Sequence, residues 1–149
     1  MNVSLKEVTR ETLRAVCKLD AGDGGTQVAP NAVSIAEASF YDEAWFRAIY
    51  EDDTLVGFVM LYDPTLATGP DEPDFFLWRL MIDKVHQRKR LGHAAVKLLI
   101  DHVRMRPGAK KLLVSHMSKA DALGRFYGSL GFVYTGQEED GEKVMALEL

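Results

Sequence analysis

Phe75-Phe76-Leu77-Trp78-Arg79-Leu80-Met81-Ile82-Asp83 runs straight into Lys84-Val85-His86-Gln87-Arg88-Lys89-Arg90-Leu91-Gly92-His93, and this join decides the fold. The first segment is apolar at almost every position, which predicts a strand over 75–82 buried on both faces. The second is a short basic turn. From Leu91 onward, Leu91, Ala94, Ala95, Leu98, Leu99 and Val103 share one helical face, and Pro107-Gly108 ends that helix. Lys111–Ser115 then reads as a short strand. Strand, helix and strand over this length make a right-handed crossover between two parallel strands. A strand that feeds a cationic loop at a helix N-terminus is also an anion-binding device. The loop amides and the positive end of the helix dipole point at whatever sits there, and Arg and Lys add full charges.

Upstream, Val3–Val8 alternates like a strand. Thr9 then opens a helix whose spacing continues through Leu13, Val16, Cys17 and Asp20 to Ala21, where Gly22-Asp23-Gly24-Gly25 breaks it. Pro30 and Asn31 open a second helix over about 32–41. Phe46–Tyr50 and Leu55–Tyr62 are strands separated by Glu51-Asp52-Asp53-Thr54, a hairpin spacing. Pro64, Gly69, Pro70 and Pro73 mark 63–74 as a loop. Downstream, Lys119–Ser129 is the last long helix, with Gly131 as its C′ residue. Phe132–Thr135 and Lys143–Leu149 close the chain as a hairpin, with Glu138-Glu139-Asp140 as a charged tip. The order β-α-α-β-β-β-α-β-α-β-β predicts an α+β fold in one domain over 1–149. Its mixed, mostly antiparallel sheet carries one central parallel βαβ crossover.

The chain has 149 residues, 47% apolar and 27% charged, the balance of an ordinary globular protein with a normal core. No apolar run reaches the ~18–20 residues of a membrane span, and the N-terminus carries no signal-peptide pattern. The net charge of −4 argues against general nucleic-acid binding. Cys17, the one cysteine, reads as a buried hydrophobe on a helix face and fits a reducing cytoplasmic compartment. The four histidines, His86, His93, His102 and His116, lack ligand spacing with cysteines or carboxylates, so no metal is expected.

The long apolar strand, the Gln87-x-x-x-x-Gly92-x-Ala94 loop with its helix, Tyr127-x-x-x-Gly131-Phe132 and the final hairpin together resemble the GNAT superfamily of acetyl-CoA-dependent N-acetyltransferases. The likeness spans most of the chain. Two positions depart from the family pattern: Arg90 stands where a middle loop glycine is usual, and Ala120 where an Asn is common. Gln27-Val28-Ala29-Pro30-Asn31, Val56-Gly57-Phe58, Phe58-Val59-Met60-Leu61-Tyr62, Met81-Ile82-Asp83 and Gly141-Glu142-Lys143-Val144 look most like bacterial spermidine/spermine (diamine) acetyltransferases.

The resemblance implies the GNAT acyl-CoA N-acyltransferase fold, acetyl-CoA as cosubstrate and a primary amine as acceptor, a polyamine first among the candidates. Attack would be direct, in a ternary complex. The pyrophosphate would lie on the turn from Gln87 through Arg88, Lys89, Arg90, Leu91, Gly92 and His93 to Ala94. Pantetheine would bond the backbone of Leu80, Met81 and Ile82, where an amide would also polarise the thioester carbonyl. Tyr127 matches the family's general acid; a phenol of pKa ~10 stays protonated at neutral pH and can donate to a thiolate. A core aromatic would read the same by residue type.

The acceptor needs a base, because an alkylamine near pKa 10 is only about one part in a thousand neutral at pH 7, a barrier of ~4 kcal/mol. Glu37 is the first choice, since its helix borders the acceptor groove in the family. Asp74 and Asp83 follow, and an ion pair between Glu37 and Arg79 is an equal reading. Trp78 walls the acceptor groove or packs in the core. The acidic residues Glu37, Asp42, Glu43, Asp71, Glu72 and Asp74 are candidates to attract remote ammonium groups. An antibiotic amine or a protein N-terminus is an alternative acceptor, and a non-catalytic acetyl-CoA-binding module is the alternative outside enzymes. A homodimer through the terminal strands would cover Val144-Met145-Ala146-Leu147, otherwise an exposed edge.

Overall fold

The computed structural model describes residues 2–24 and 28–149, so Gln27, at the start of one resembling segment, lies outside the described residues. The elements are β1 (Val3–Lys6), α1 (Leu13–Lys18), α2 (Asn31–Ala38), β2 (Ala44–Glu51), β3 (Thr54–Tyr62), β4 (Phe75–Ile82), α3 (Leu91–Arg104), β5 (Lys111–Met117), α4 (Asp121–Ser129), β6 (Val133–Glu139) and β7 (Glu142–Glu148). Short 3-10 turns cover Pro64–Leu66 and Lys84–His86. The expected order holds, and β4 has its expected bounds. Both early helices are shorter than their periodicity suggested, while β5, β6 and β2 run longer.

The seven strands form one sheet in the order β1-β2-β3-β4-β5-β7-β6, with β4–β5 as its parallel pair. One face carries α3 and α4. There Leu91, Ala95, Leu99 and Val103 of α3 pack on Val59, Leu61, Leu77, Leu112 and Met145. The other face carries α1 and α2, with Val16, Phe58, Met60 and Met81 at its centre. Cys17 is half-buried on α1 and not fully buried as its helix face suggested; Val16 beside it is the helix's buried residue. Gly57 is required where β3 meets β4: a Cβ there would lie 2.4 Å from the Met81 carbonyl oxygen.

The edge strand differs from expectation. β7 lies between β5 and β6, so Val144–Leu147 is interior and buried, and β6 forms the edge with all its residues exposed. The Asp140-Gly141 turn, with φ of 51° and 78°, folds β6 back onto β7 as a two-residue hairpin loop.

A bulge sits at the centre of the sheet. Met60 pairs with Arg79 and Leu61 with Leu77, leaving Trp78 without a partner on β3. The extra residue reverses the alternation. Leu77 and Leu80 both join the α3/α4 core, while Trp78 packs toward α1 and α2 and Arg79 reaches Glu37 of α2.

Candidate active site

β4 and β5 pair only at Phe75–Leu112 and Phe76–Leu113, then separate. From Leu77 to Ile82 the second edge of β4 therefore faces a cleft of about 810 Å³, with Val114–Met117 of β5 on its far side. Two parallel strands that diverge leave unpaired backbone donors and acceptors along both edges. An extended ligand can enter between them as a strand would. Leu80, Met81 and Ile82 all line this opening.

The basic turn begins at the cleft's rim. The Gln87 side-chain amide donates to the carbonyls of Ile82, 2.9 Å, and Ala21, 2.8 Å, and so ties the turn to β4 and to the segment after α1. Arg88 and Arg90 adopt left-handed backbone, with φ of 67° and 63°. Arg90 is the N-cap of α3 and holds the conformation that a glycine favours. Among the described residues no side chain caps the first α3 amides, so the N-terminus of a 14-residue helix presents free donors beside Arg88, Lys89 and Arg90. Burial, then the charges of Arg90 and Lys97, hold His93 below the usual imidazole range. Leu91 is buried in the core, so only its backbone is available to a ligand. Gly92 lies against Phe126 and Ile82, and Ala94 continues the first turn of the helix.

Tyr127 projects from α4 into the cleft wall while packing edge-on against Phe126 and Phe132, with ring centroids 5.0 and 5.5 Å away. Core packing and a place in the wall coexist. Its burial raises the phenol's pKa far above the ordinary value, which keeps the proton on the oxygen.

The expected acceptor-side carboxylates are placed differently. Glu37 does not line the cleft; it accepts a hydrogen bond from Arg79 Nη2 at 3.1 Å, and Arg79 does line it. Asp83 accepts from the Asp20 amide at 2.8 Å, and Asp74 sits 3.8 Å from Lys111 where β4 and β5 still pair. Asp42, Glu43, Asp71 and Glu72 do not line the cleft either. Asp63 is buried against Arg106 at 3.0 Å, and Glu43 accepts from Tyr62 and from the Asp71 amide, each at 3.2 Å. Trp78 does wall the cleft, edge-on to Tyr41 and Tyr62.

Instead, Glu139, Asp140 and Glu142 of the β6–β7 hairpin line the cleft, as does Asp23 from the segment after α1. The local sequence marks the first two only as a charged hairpin tip and gives Glu142 no signal of a role. Only the β5–β7 register, with Met117 opposite Glu142, brings them to the opening. At the start of α4 the Met117 carbonyl accepts both the Ala120 amide, 2.8 Å, and His116 Nδ1–H, 2.7 Å. That tautomer leaves His116 Nε2 to accept the Tyr134 hydroxyl at 2.9 Å. These bonds anchor the helix that carries Tyr127.

A splayed parallel pair, an uncapped helix N-terminus and a protonated phenol define an acyl-CoA-dependent transferase site. The Acetyltransferase (GNAT) family model matches residues 19–132. The chain belongs to that family and is an acetyl-CoA-dependent N-acetyltransferase. It is 28% identical over its whole length to the whole of a "Probable spermine N(1)-acetyltransferase" of Bacillus subtilis subsp. natto (strain BEST195). It is equally, 28%, identical to the full-length "Spermine/spermidine N(1)-acetyltransferase" of Bacillus subtilis (strain 168). Among solved structures, aminoglycoside acetyltransferase AAC(6')-Ib in complex with coenzyme A superposes with a TM-score of 0.78 at 16% identity, covering 99% of this chain and 95% of the other. No helix among the described residues is long and apolar enough to cross a membrane.

Proposed function

We propose that this enzyme acetylates a primary amine of a small polycation, a polyamine being the best fit, by direct attack within a ternary complex. The observation that carries the reading is the two-sided cleft. One end opens on the cationic turn before α3, and the wall contributed by the β6–β7 hairpin is acidic, with Glu139, Asp140 and Glu142. A diphosphate suits the first end and remote ammonium groups suit the second. Two relatives similar over the full length are named as spermine or spermine/spermidine acetyltransferases, which supports the same choice.

Each step except deprotonation of the amine then has a residue. Amides at the N-terminus of α3, with Arg88, Lys89 and Arg90, hold the diphosphate. The free edge of β4 at Leu80–Ile82 pairs with pantetheine and aims an amide at the carbonyl oxygen as it becomes tetrahedral. Tyr127 donates its proton to the departing sulfur. Trp78 and Arg79, turned to the acceptor face by the bulge, shape the amine's approach. Glu37 holds Arg79 in place. The exposed β6 edge is a surface through which two copies would pair. A cytoplasmic setting fits the lone half-buried cysteine.

Initial rates across an amine panel test the acceptor. Spermidine and spermine are expected to be turned over with kcat/KM well above those of an aminoglycoside or a peptide N-terminus. Equal rates with a monoamine of the same chain length would contradict the acidic-wall argument.

A further inference from the structure

One step in this reaction still lacks a side chain: the ammonium must lose a proton before its nitrogen can attack. The group that takes it must face the acceptor and be uncommitted elsewhere. Glu37 is held by Arg79 outside the cleft wall, Asp83 by the Asp20 amide, and Asp74 lies beside Lys111 at the closed end.

The register of the last strands supplies a different carboxylate. On β5 and β7, Leu112, Val114, Met145 and Leu147 point into the α3/α4 core. Alternation therefore puts Ser115, Met117, Glu142 and Val144 on the opposite face. That is the face on which the bulge places Trp78 and Arg79. Ser115 pairs with Val144 and Met117 with Glu142, so Ser115 and Glu142 are diagonal neighbours. Ser115 Oγ donates to Glu142 Oε1 at 3.2 Å, and both residues line the cleft. Among the described residues this hydroxyl is the carboxylate's one side-chain partner. One oxygen is oriented and the other is left for an amine.

Resting on the acetyltransferase reading above, we propose that Glu142 is the general base for the acceptor amine and that Ser115 is its positioning residue. The ammonium gives one proton to Glu142, leaving a neutral amine and a carboxylic acid. The nitrogen lone pair forms the C–N bond to the thioester carbon, and the carbonyl π pair moves onto oxygen. Collapse restores C=O and breaks C–S, with the bonding pair leaving on sulfur. Tyr127 protonates the sulfur and is restored by the second proton shed from nitrogen. Glu142 passes its proton to solvent. The sum is one amide, one thiol and one released proton.

The charged groups around Glu142 are Glu139, directly opposite on β6, Asp140 in the turn, and Arg79 and Asp23 in the other walls of the cleft. β5 presents Ser115 and Met117, neither of which titrates there. Lys143 lies on the other face, over the Tyr134 ring at 5.7 Å.

The test is the pH dependence of Glu142→Gln, measured with spermidine and with whichever primary amine of the panel is turned over fastest. At pH 7 the variant is expected to lose ~100-fold or more in kcat/KM, within the range of general-base catalysis. The deficit should shrink toward pH 10, where the amine sheds its proton unaided. Calorimetric acetyl-CoA affinity should not change. Ser115→Ala should lose several-fold and remain rescuable by Ser115→Thr. Wild-type rates in Glu142→Gln at pH 7, or a deficit constant with pH, would overturn the assignment while leaving the acetyltransferase reading intact. A wild-type enzyme that binds acetyl-CoA and acetylates no amine at any pH would remove both.

Discussion

Arg79 and Trp78 are sequence neighbours that leave β4 toward the same layer, and Arg79 Nη1 donates to the Trp78 carbonyl at 3.1 Å. The bond crosses the bulge it stabilises. Glu37 completes the arrangement from α2, and the guanidinium lies 5.9 Å from the Trp78 ring centroid. Three residues thereby fix the shape of this wall of the cleft.

Removing the guanidinium should therefore cost more than removing its partner. We expect Arg79→Leu to lose about 1.5–3 kcal/mol by denaturant unfolding, the range for charge-assisted hydrogen bonds, and to raise KM for the amine. Glu37→Gln, whose carboxylate is 39% exposed, should lose under ~1 kcal/mol and keep kcat within a few-fold. A hundredfold fall in kcat for Glu37→Gln would return the base role to Glu37.

Tyr127→Phe separates acid catalysis from packing. The ring contacts with Phe126 and Phe132 survive the change, so stability and acetyl-CoA affinity should hold. Turnover should fall ~10-fold or more, mostly in kcat. Because burial raises the phenol's pKa, the wild-type enzyme should show no loss of rate from Tyr127 ionisation as pH rises from 8 to 10. A phenylalanine variant with unchanged kcat would leave Tyr127 as a core residue alone.

The turn before α3 tests charge against conformation. Arg90 at φ 63° carries a left-handed strain of about 1–2 kcal/mol that glycine would relieve, while glycine also adds freedom to the unfolded chain. Arg90→Gly should thus keep stability within ~1 kcal/mol. It should weaken CoA binding several-fold, and that difference should narrow at high salt as screening grows. Unaltered affinity at low salt would place the diphosphate away from Arg90.

His102 sets an acid limit on stability. It stacks on Trp45 with centroids 4.2 Å apart. Burial first, then Arg106 and Arg47, lower its pKa, against the opposing pull of Asp63. Below its ordinary value of 6.5 the unfolded chain takes up a proton that the folded protein resists. The unfolded state then binds more protons, so this contribution is complete above pH 6.5 and falls as pH drops, by at most about 1.4 kcal/mol per pH unit. Urea midpoints between pH 7.5 and 5 should decline in the wild type and decline less in His102→Phe. Equal slopes would assign the acid sensitivity to other groups.

Much of the architecture is written in local pattern. The apolar run of β4, the helical face from Leu91 and the Pro107-Gly108 stop specify the crossover without tertiary help. Gln87, Gly92 and Tyr127, the cofactor half of the proposed site, are legible for the same reason: their positions follow from one turn and one helix. The acceptor half is different. Trp78 and Arg79 share a face only because β3 offers one residue fewer, and Glu142 faces the opening only through its pairing with β5. Neither relation leaves a periodic trace in the chain. The edge strand is illegible in the sequence for a related reason, since sequence order does not say that β7 inserts between β5 and β6.

A crystal structure with coenzyme A and spermidine is the most direct measurement. The diphosphate should accept hydrogen bonds from the amides at the start of α3, with pantetheine between β4 and β5 and its sulfur beside the Tyr127 hydroxyl. The cofactor bound outside that cleft, or its phosphates turned away from residues 88–93, would contradict the account.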